Sequence, residues 1–187
     1  MTSGVLISSY QNSFMTVQQK IRDSYERTVK VLSLKPSLGM GTGISKARIT
    51  AGLTCEITEG NCKFIADMPQ SAGGNATAPT PGVYGRAALG SCLAIGYMMH
   101  ASKMNILIDT LEVEIQADYN DGALFGTADM PPGYLEVRYT ISIESDATED
   151  EILQMLDEAD RHSPYLDVFS RGQKCVRVVN IISCKQL

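Results

Sequence analysis

The chain contains no C-x2-C pair, no concentration of basic residues, and no uninterrupted apolar run of the roughly 20 residues that a membrane-spanning helix takes. Each absence excludes a class. Without paired cysteine spacing there is no zinc-ribbon or redox C-x-x-C motif. A net charge of −5 argues against a nucleic-acid partner. The longest apolar stretch, Tyr84–Met99, is broken by Arg86, which argues against a membrane partner. Residues Met1 to Phe14 have neither a basic start nor a sustained apolar stretch, so no signal peptide is expected. The 5 cysteines are odd in number, so at least one thiol is free, which suits a reducing compartment. The expectation is a cytoplasmic protein, in which the sequon at Asn75 carries no glycan. No cofactor-binding motif is read.

What is present suits a single α+β domain with an appended helix. Val17, Ile21, Tyr25, Val29 and Leu32 recur at helical spacing within Thr16 to Leu34, and Pro36 with the following glycines ends the pattern. Residues 1–44 therefore read as an N-terminal helical arm and 45–187 as the main domain. Ala47, Ile49, Ala51, Leu53, Cys55 and Ile57 alternate with mostly polar residues, which predicts one strand from 47 to 57. A turn at Glu59-Gly60-Asn61 returns the chain through Cys62 to Met68, with Cys55 expected opposite a residue near Phe64 rather than opposite Cys62.

After a loop from Pro69 to Pro81, a helix is expected over Gly82 to Ser102. Its apolar residues cover nearly every face, which predicts burial, and its small residues permit close approach by neighbours. Leu111, Val113, Ile115 and Ala117 form one inward row, and Leu135, Val137, Tyr139, Ile141 and Ile143 another, as in an antiparallel sheet with one wet face. Thr148 and Glu151 match a capping box ahead of a helix with an apolar stripe at Ile152, Met155, Leu156 and Ala159. Pro164 ends that helix, and a short helical turn through Phe169 is expected. Cys175 to Ile182 reads as a final strand.

Cys92 lies in the middle of the small-residue helix. By itself it reads either as a buried structural thiol or as a reactive one. A thiol attacks peroxide as thiolate and needs a cation or dipole nearby. Arg86 is six residues away, about 240° around the helix, and so points elsewhere. His100 is about 12 Å along the axis and reads as a structural partner. Asp160, Arg161 and His162 precede Ser163-Pro164. They could offer polar groups to the thiol, or simply form a charged helix end.

The order of these elements, with the loop, the Leu/Ala/Gly-rich helix carrying Cys92 and the downstream Ser163-Pro164, resembles the OsmC/Ohr family of thiol-dependent organic hydroperoxide reductases. The resemblance runs from about Arg48 to the C-terminus. It implies an OsmC-like fold of antiparallel sheets around a buried central helix, in an intertwined homodimer with sites between subunits. It also implies a stress-response protein whose Cys92 is attacked by peroxide and becomes a sulfenic acid. The family's resolving Cys falls on Ser163 here. The family's Glu after the loop proline falls on Gly82. Its early-strand Arg falls near Ala51 to Thr54, so that Arg48 could serve only after a shift of register; otherwise Arg48 is a solvent-facing strand residue. Resolution would then come from Cys55, Cys62, Cys175 or Cys184, or from an external thiol reductant. The alternative is a non-catalytic protein of the same fold that binds a small apolar ligand or has a structural role.

Overall fold

The computed structural model describes the backbone of residues 3–181, and side chains from Val17 onward. Helix α1 spans Ser3–Leu34, about 48 Å at 1.5 Å per residue. It begins well before the expected Thr16. Lys35, outside the helical region at φ −141° and ψ 79° ahead of Pro36, stops it, and Pro36–Gly39 makes one tight turn. The C-terminal half of α1 docks on the following helix. Gln18 is buried and donates from Nε2 to the Ile106 carbonyl at 2.9 Å.

The single strand expected over 47–57 is instead two, β1 (Lys46–Ala51) and β2 (Thr54–Glu59), joined by a hairpin at Gly52-Leu53. The two-residue loop sets Ala51 opposite Thr54, but an irregularity in β1 between Ile49 and Ala51 shifts the register by one, so Ile49 faces Cys55, Ala47 faces Ile57, and the apolar row runs through the turn without a break. Gly52 carries it at φ +57°, a left-handed conformation that suits glycine. Strand β3 (Cys62–Ala66) completes a three-stranded antiparallel sheet in the order β1-β2-β3. Cys62 does not face Cys55, as expected. The register is two residues further on than read, however, with Cys55 opposite Ala66 and Phe64 opposite Ile57.

Helix α2 (Pro81–Met104) starts with Pro81 at its first turn and closes on Asn105, left-handed at φ 60°. One face is buried, through Leu89, Leu93, Tyr97, His100 and Ala101. The opposite stripe of Ala87, Ser91, Ile95 and Met99 is exposed in the single chain, so the all-round burial read from its composition does not occur there. Strand β4 (Thr110–Asp118) pairs antiparallel with β5 (Glu136–Glu144) in an unbroken register. Between them lies the one-turn helix α3 (Asp121–Leu124), capped by Asn120. Their inward rows, Leu111, Val113, Ile115 and Val137, Tyr139, Ile141, Ile143, back onto the core residues of α2. A Cβ on Gly90 would lie 3.1 Å from Ile115 Cγ1, so the missing side chain lets α2 and β4 touch.

Helix α4 (Glu149–Asp160) begins with the expected capping box, both hydrogen bonds present, and buries Met155 and Ala159 against α2. Helix α5 (Pro164–Ser170) follows after a short turn. The final strand expected over 175–182 is absent among the described residues. Residues 172–181 pair with nothing and are exposed, Val178 at 82% and Ile181 at 87%. A strand needs a hydrogen-bonded neighbour, and the described residues leave none beside that segment. The mixed helix-and-sheet class read from the sequence holds.

Candidate functional site

Two elements bring Cys92 and Ser163 together. Cys92 sits half-buried on the flank of α2, between the buried row and the exposed stripe. Ser163 sits where the chain turns from α4 into α5 and is 8% exposed. The Cys92 Sγ to Ser163 Oγ distance is 3.7 Å. The Ser163 hydroxyl also caps α5, accepting from the Leu166 N–H at 3.3 Å. With its oxygen accepting there, the one O–H is free to donate to the sulfur.

This placement depends on a brace the sequence reading missed. Tyr97, five residues beyond Cys92 on the same helix, donates to Asp160 Oδ1 at 2.7 Å, and Tyr139 of β5 donates to Asp160 Oδ2 at 2.8 Å. Asp160 thereby ties the end of α4 to both α2 and the sheet, and its carbonyl accepts from the Ser163 N–H at 3.2 Å. Burial first, and then the adjoining carboxylate, push the Tyr139 hydroxyl up to about 12 and the Tyr97 hydroxyl higher still, so both stay protonated as donors. A signal for this brace was available. Tyr139 stands in an inward row and Tyr97 in an apolar helix, and a buried phenol requires an acceptor.

The other polar candidates are occupied elsewhere. Arg161 pairs with Glu158 at 2.6 Å, and His162 Nδ1 lies 2.8 Å from the Glu158 carbonyl. These are the helix-end contacts of the plainer reading. Arg86 contacts Tyr134 Oη at 3.4 Å, away from Cys92 as the helix geometry requires. Arg48 pairs with Glu56 across β1 and β2 at 3.2 Å with its side chain 79% exposed, which is the solvent-facing position. Among the described residues, the polar side-chain group within hydrogen-bond reach of the sulfur is Ser163. Cys55, Cys62, Cys92 and Cys175 are all free thiols; Cys55 and Cys62 lie on the β1-β2-β3 sheet and Cys175 in the exposed segment after α5. Cys184 lies outside the described residues.

The loop that leads into α2 is fixed by a second carboxylate. Asp67, 1% exposed at the end of β3, accepts from Thr77 Oγ1 at 2.6 Å, Thr77 N–H at 3.1 Å, Met68 N–H at 2.8 Å, Asn75 N–H at 3.4 Å and Thr54 Oγ1 at 3.3 Å. The Thr77 hydroxyl, aided by those backbone N–H groups and opposed by burial, holds its carboxyl down to about 2. Asp67 occupies the approach to α2 with a structural carboxylate, and Gly82 leaves the position after Pro81 without one.

Two clefts flank α2, the first of them apolar. One, of about 500 Å³, lies over Ile95, Met98 and Met99 and is closed by Ile21 of α1 and by Ile108 and Leu111. The other lies among Leu89, Tyr134, Tyr139, Leu166 and Phe169. Cys92 lines neither.

The family model described as OsmC-like protein matches residues 73–176, from the loop through α5. This chain belongs to the OsmC-like family. Solved structures agree on the fold. An OsmC-like protein from Mycoplasma pneumoniae superposes with a TM-score of 0.60 at 16% identity, covering 70% of this chain and 88% of that one. An organic hydroperoxide resistance protein from Legionella pneumophila gives 0.53 at 20% identity, covering 70% and 90%. A protein from Aquifex aeolicus gives 0.56 at 11%, covering 70% and 89%. None of the curated proteins matches this OsmC-like chain. Among the described residues, no helix is long and apolar enough to cross a membrane.

Proposed function

We propose that this OsmC-like protein is a cytoplasmic stress-response thiol protein that acts on organic hydroperoxides through a single reactive cysteine, Cys92, resolved by an external thiol. The observation that carries the reading is the approach of Ser163 Oγ to Cys92 Sγ at 3.7 Å. The hydroxyl can donate to a thiolate but cannot form a disulfide with it.

In the first step the Cys92 thiolate attacks the outer peroxide oxygen. An S–O bond forms, the O–O bond breaks, and the alkoxide leaves as the alcohol after taking a proton. Cys92 is oxidised to a sulfenic acid and the peroxide is reduced. An external thiol then attacks that sulfur, releasing water and leaving a mixed disulfide. A second thiol frees Cys92 as a disulfide of the reductant departs.

The site is completed in a homodimer on this reading. The support is surface left bare in one chain: Ile49, Phe64 and Ile65 on the β1-β2-β3 sheet, and Ile95 and Met99 on α2. Such an interface brings residues of the second subunit to the flank of α2, where a cation for the thiolate is wanting among the described residues of one chain. A second reading, a non-catalytic OsmC-like protein that holds a small apolar ligand, is favoured by the 500 Å³ cleft over Ile95, Met98 and Met99.

One equivalent of cumene hydroperoxide followed by mass spectrometry separates these readings. The expected product is sulfenic or sulfinic acid at Cys92. A rapid intramolecular disulfide would overturn the single-cysteine mechanism. Oxidation of the other thiols ahead of Cys92 would favour the ligand-binding reading. A Ser163→Cys variant is expected to cross-link to Cys92 on oxidation.

A further inference from the structure

The chain has 2 histidines, and they lie together with their ring centroids 5.7 Å apart. His100 comes from α2 and is 5% exposed. His162 comes from the turn after α4 and is mostly exposed. One ligand atom each from His100, His162 and Glu158 lie within 4.8 Å of one another.

The hydrogen bonds choose the tautomers. His100 Nδ1 faces the Gly96 carbonyl at 3.0 Å, and His162 Nδ1 faces the Glu158 carbonyl at 2.8 Å. A carbonyl only accepts, so in each neutral ring Nδ1 carries the proton and Nε2 the lone pair. A ring nitrogen that donates to a backbone carbonyl while its other nitrogen is left bare is the arrangement found behind metal-bound histidines. His100 Nε2 is buried and has no hydrogen-bond partner among the described residues, which is costly for a polar atom with nothing to bind. Tyr25 of α1 stands edge-on to the His100 ring at 5.8 Å and walls the pair on one side.

We infer that His100, His162 and Glu158 form a site for a divalent cation of the zinc type, with a fourth position open to water. Two imidazoles and one carboxylate suit a borderline ion, and Zn²⁺ takes this donor set in tetrahedral form. Tetrahedral ligand atoms on zinc stand about 3.4 Å apart at bond lengths near 2.1 Å, so the site closes by a movement on the order of 1 Å. His162 is exposed and can supply it. Lys103, whose Nζ is 3.7 Å from Glu158 Oε1, gives way to the cation, while Arg161 keeps Oε2 at 2.6 Å and orients the carboxylate. The bound ion would staple α2 to the end of α4 one residue before Ser163. The site stands on its own geometry, whatever Cys92 does.

The test is calorimetric titration of the full chain, reduced with a phosphine, with ZnCl₂, followed by the Co²⁺ absorption spectrum. The expected result is one ion per chain, a tetrahedral cobalt spectrum without a thiolate band, and affinity at least about tenfold weaker in His162→Asn and in Glu158→Gln. A Cys62→Ser/Cys175→Ser variant is expected to bind as the parent does. His162 and Glu158 are partly exposed, so those variants are expected to fold, and their circular dichroism spectrum checks it. Absence of binding at millimolar zinc would overturn the inference. So would binding that is lost with the cysteines and unchanged in His162→Asn.

Discussion

The two sheets of this protein carry the same alternating sequence pattern and meet opposite fates. Strands β4 and β5 show a strict half-buried and exposed alternation because α2 covers one side of them. Strand β1 is exposed at every residue, and β3 is buried only at Ala66. An apolar row on a strand states that something covers it, and does not state whether the cover comes from the same chain. In β4-β5 the cover is internal. In β1-β2-β3 the cover among the described residues comes from the Asp67 corner and Tyr84, whose ring meets Phe64 and whose hydroxyl reaches the Ile65 carbonyl at 2.5 Å.

Substitutions on the two sides should separate accordingly. The largest effect on folding is expected at Met155, which is fully buried between α4 and α2. Met155→Ala should cost about 2–5 kcal/mol in urea denaturation. Asp160→Ala comes next, at about 1–3 kcal/mol, because it strands two hydroxyls that no longer have an acceptor. That variant should also raise the alkylation rate of Cys92 as the Ser163 turn loosens, a response the Met155 variant should show only in proportion to unfolding.

The Asp67 corner gives a pH effect of smaller size. Its folded carboxyl titrates at about 2, against an ordinary value of 3.8. A depressed carboxyl stabilises fully above the ordinary value and loses that contribution as pH falls from there toward its folded value. Thermal stability should therefore decline through this acid window in the parent and decline less in Asp67→Asn. The smallest folding effect is expected at Ile49, 61% exposed on β1. Ile49→Ala should stay within about 0.5 kcal/mol for a single chain. Ile49→Glu should instead weaken self-association in sedimentation equilibrium. If Ile49→Glu leaves association unchanged, the sheet's bare face is not an interface between copies.

Legibility followed the same division. The inward rows of β4 and β5 could be read because a period of two is preserved when both strands lie in one sheet, and Val113 does face Ile141 and Ile115 does face Tyr139. The Thr148–Glu151 capping box was readable because all its partners are local. The hairpin at Gly52 was hidden because the irregularity between Ile49 and Ala51 offsets the parity change of its two-residue loop and so preserves the alternation. The closing strand failed because Val176 and Val178 have strand character but no hydrogen-bonded neighbour among the described residues. At the site, the pairing of Ser163 with Cys92 followed the family resemblance, whereas the Asp160 brace and the Asp67 corner depend on contacts across long sequence distances. A carboxylate chosen as acceptor by two remote tyrosines leaves no local pattern.

The hairpin architecture has a consequence for the newly made chain. With β1-β2-β3 and β4-β5 as separate ribbons, four outer strands present unsatisfied backbone donors and acceptors among the described residues. Such rims are templates for promiscuous strand addition. Side chains along them moderate the hazard: Glu112 and Glu114 line β4, Glu136 and Glu144 line β5, and Lys46 and Arg48 line β1. Two β4 rims therefore repel each other, while a β1 rim carries the opposite sign. In a crowded nascent population, these charges make wrong zippering between like ribbons slower than docking between unlike ones.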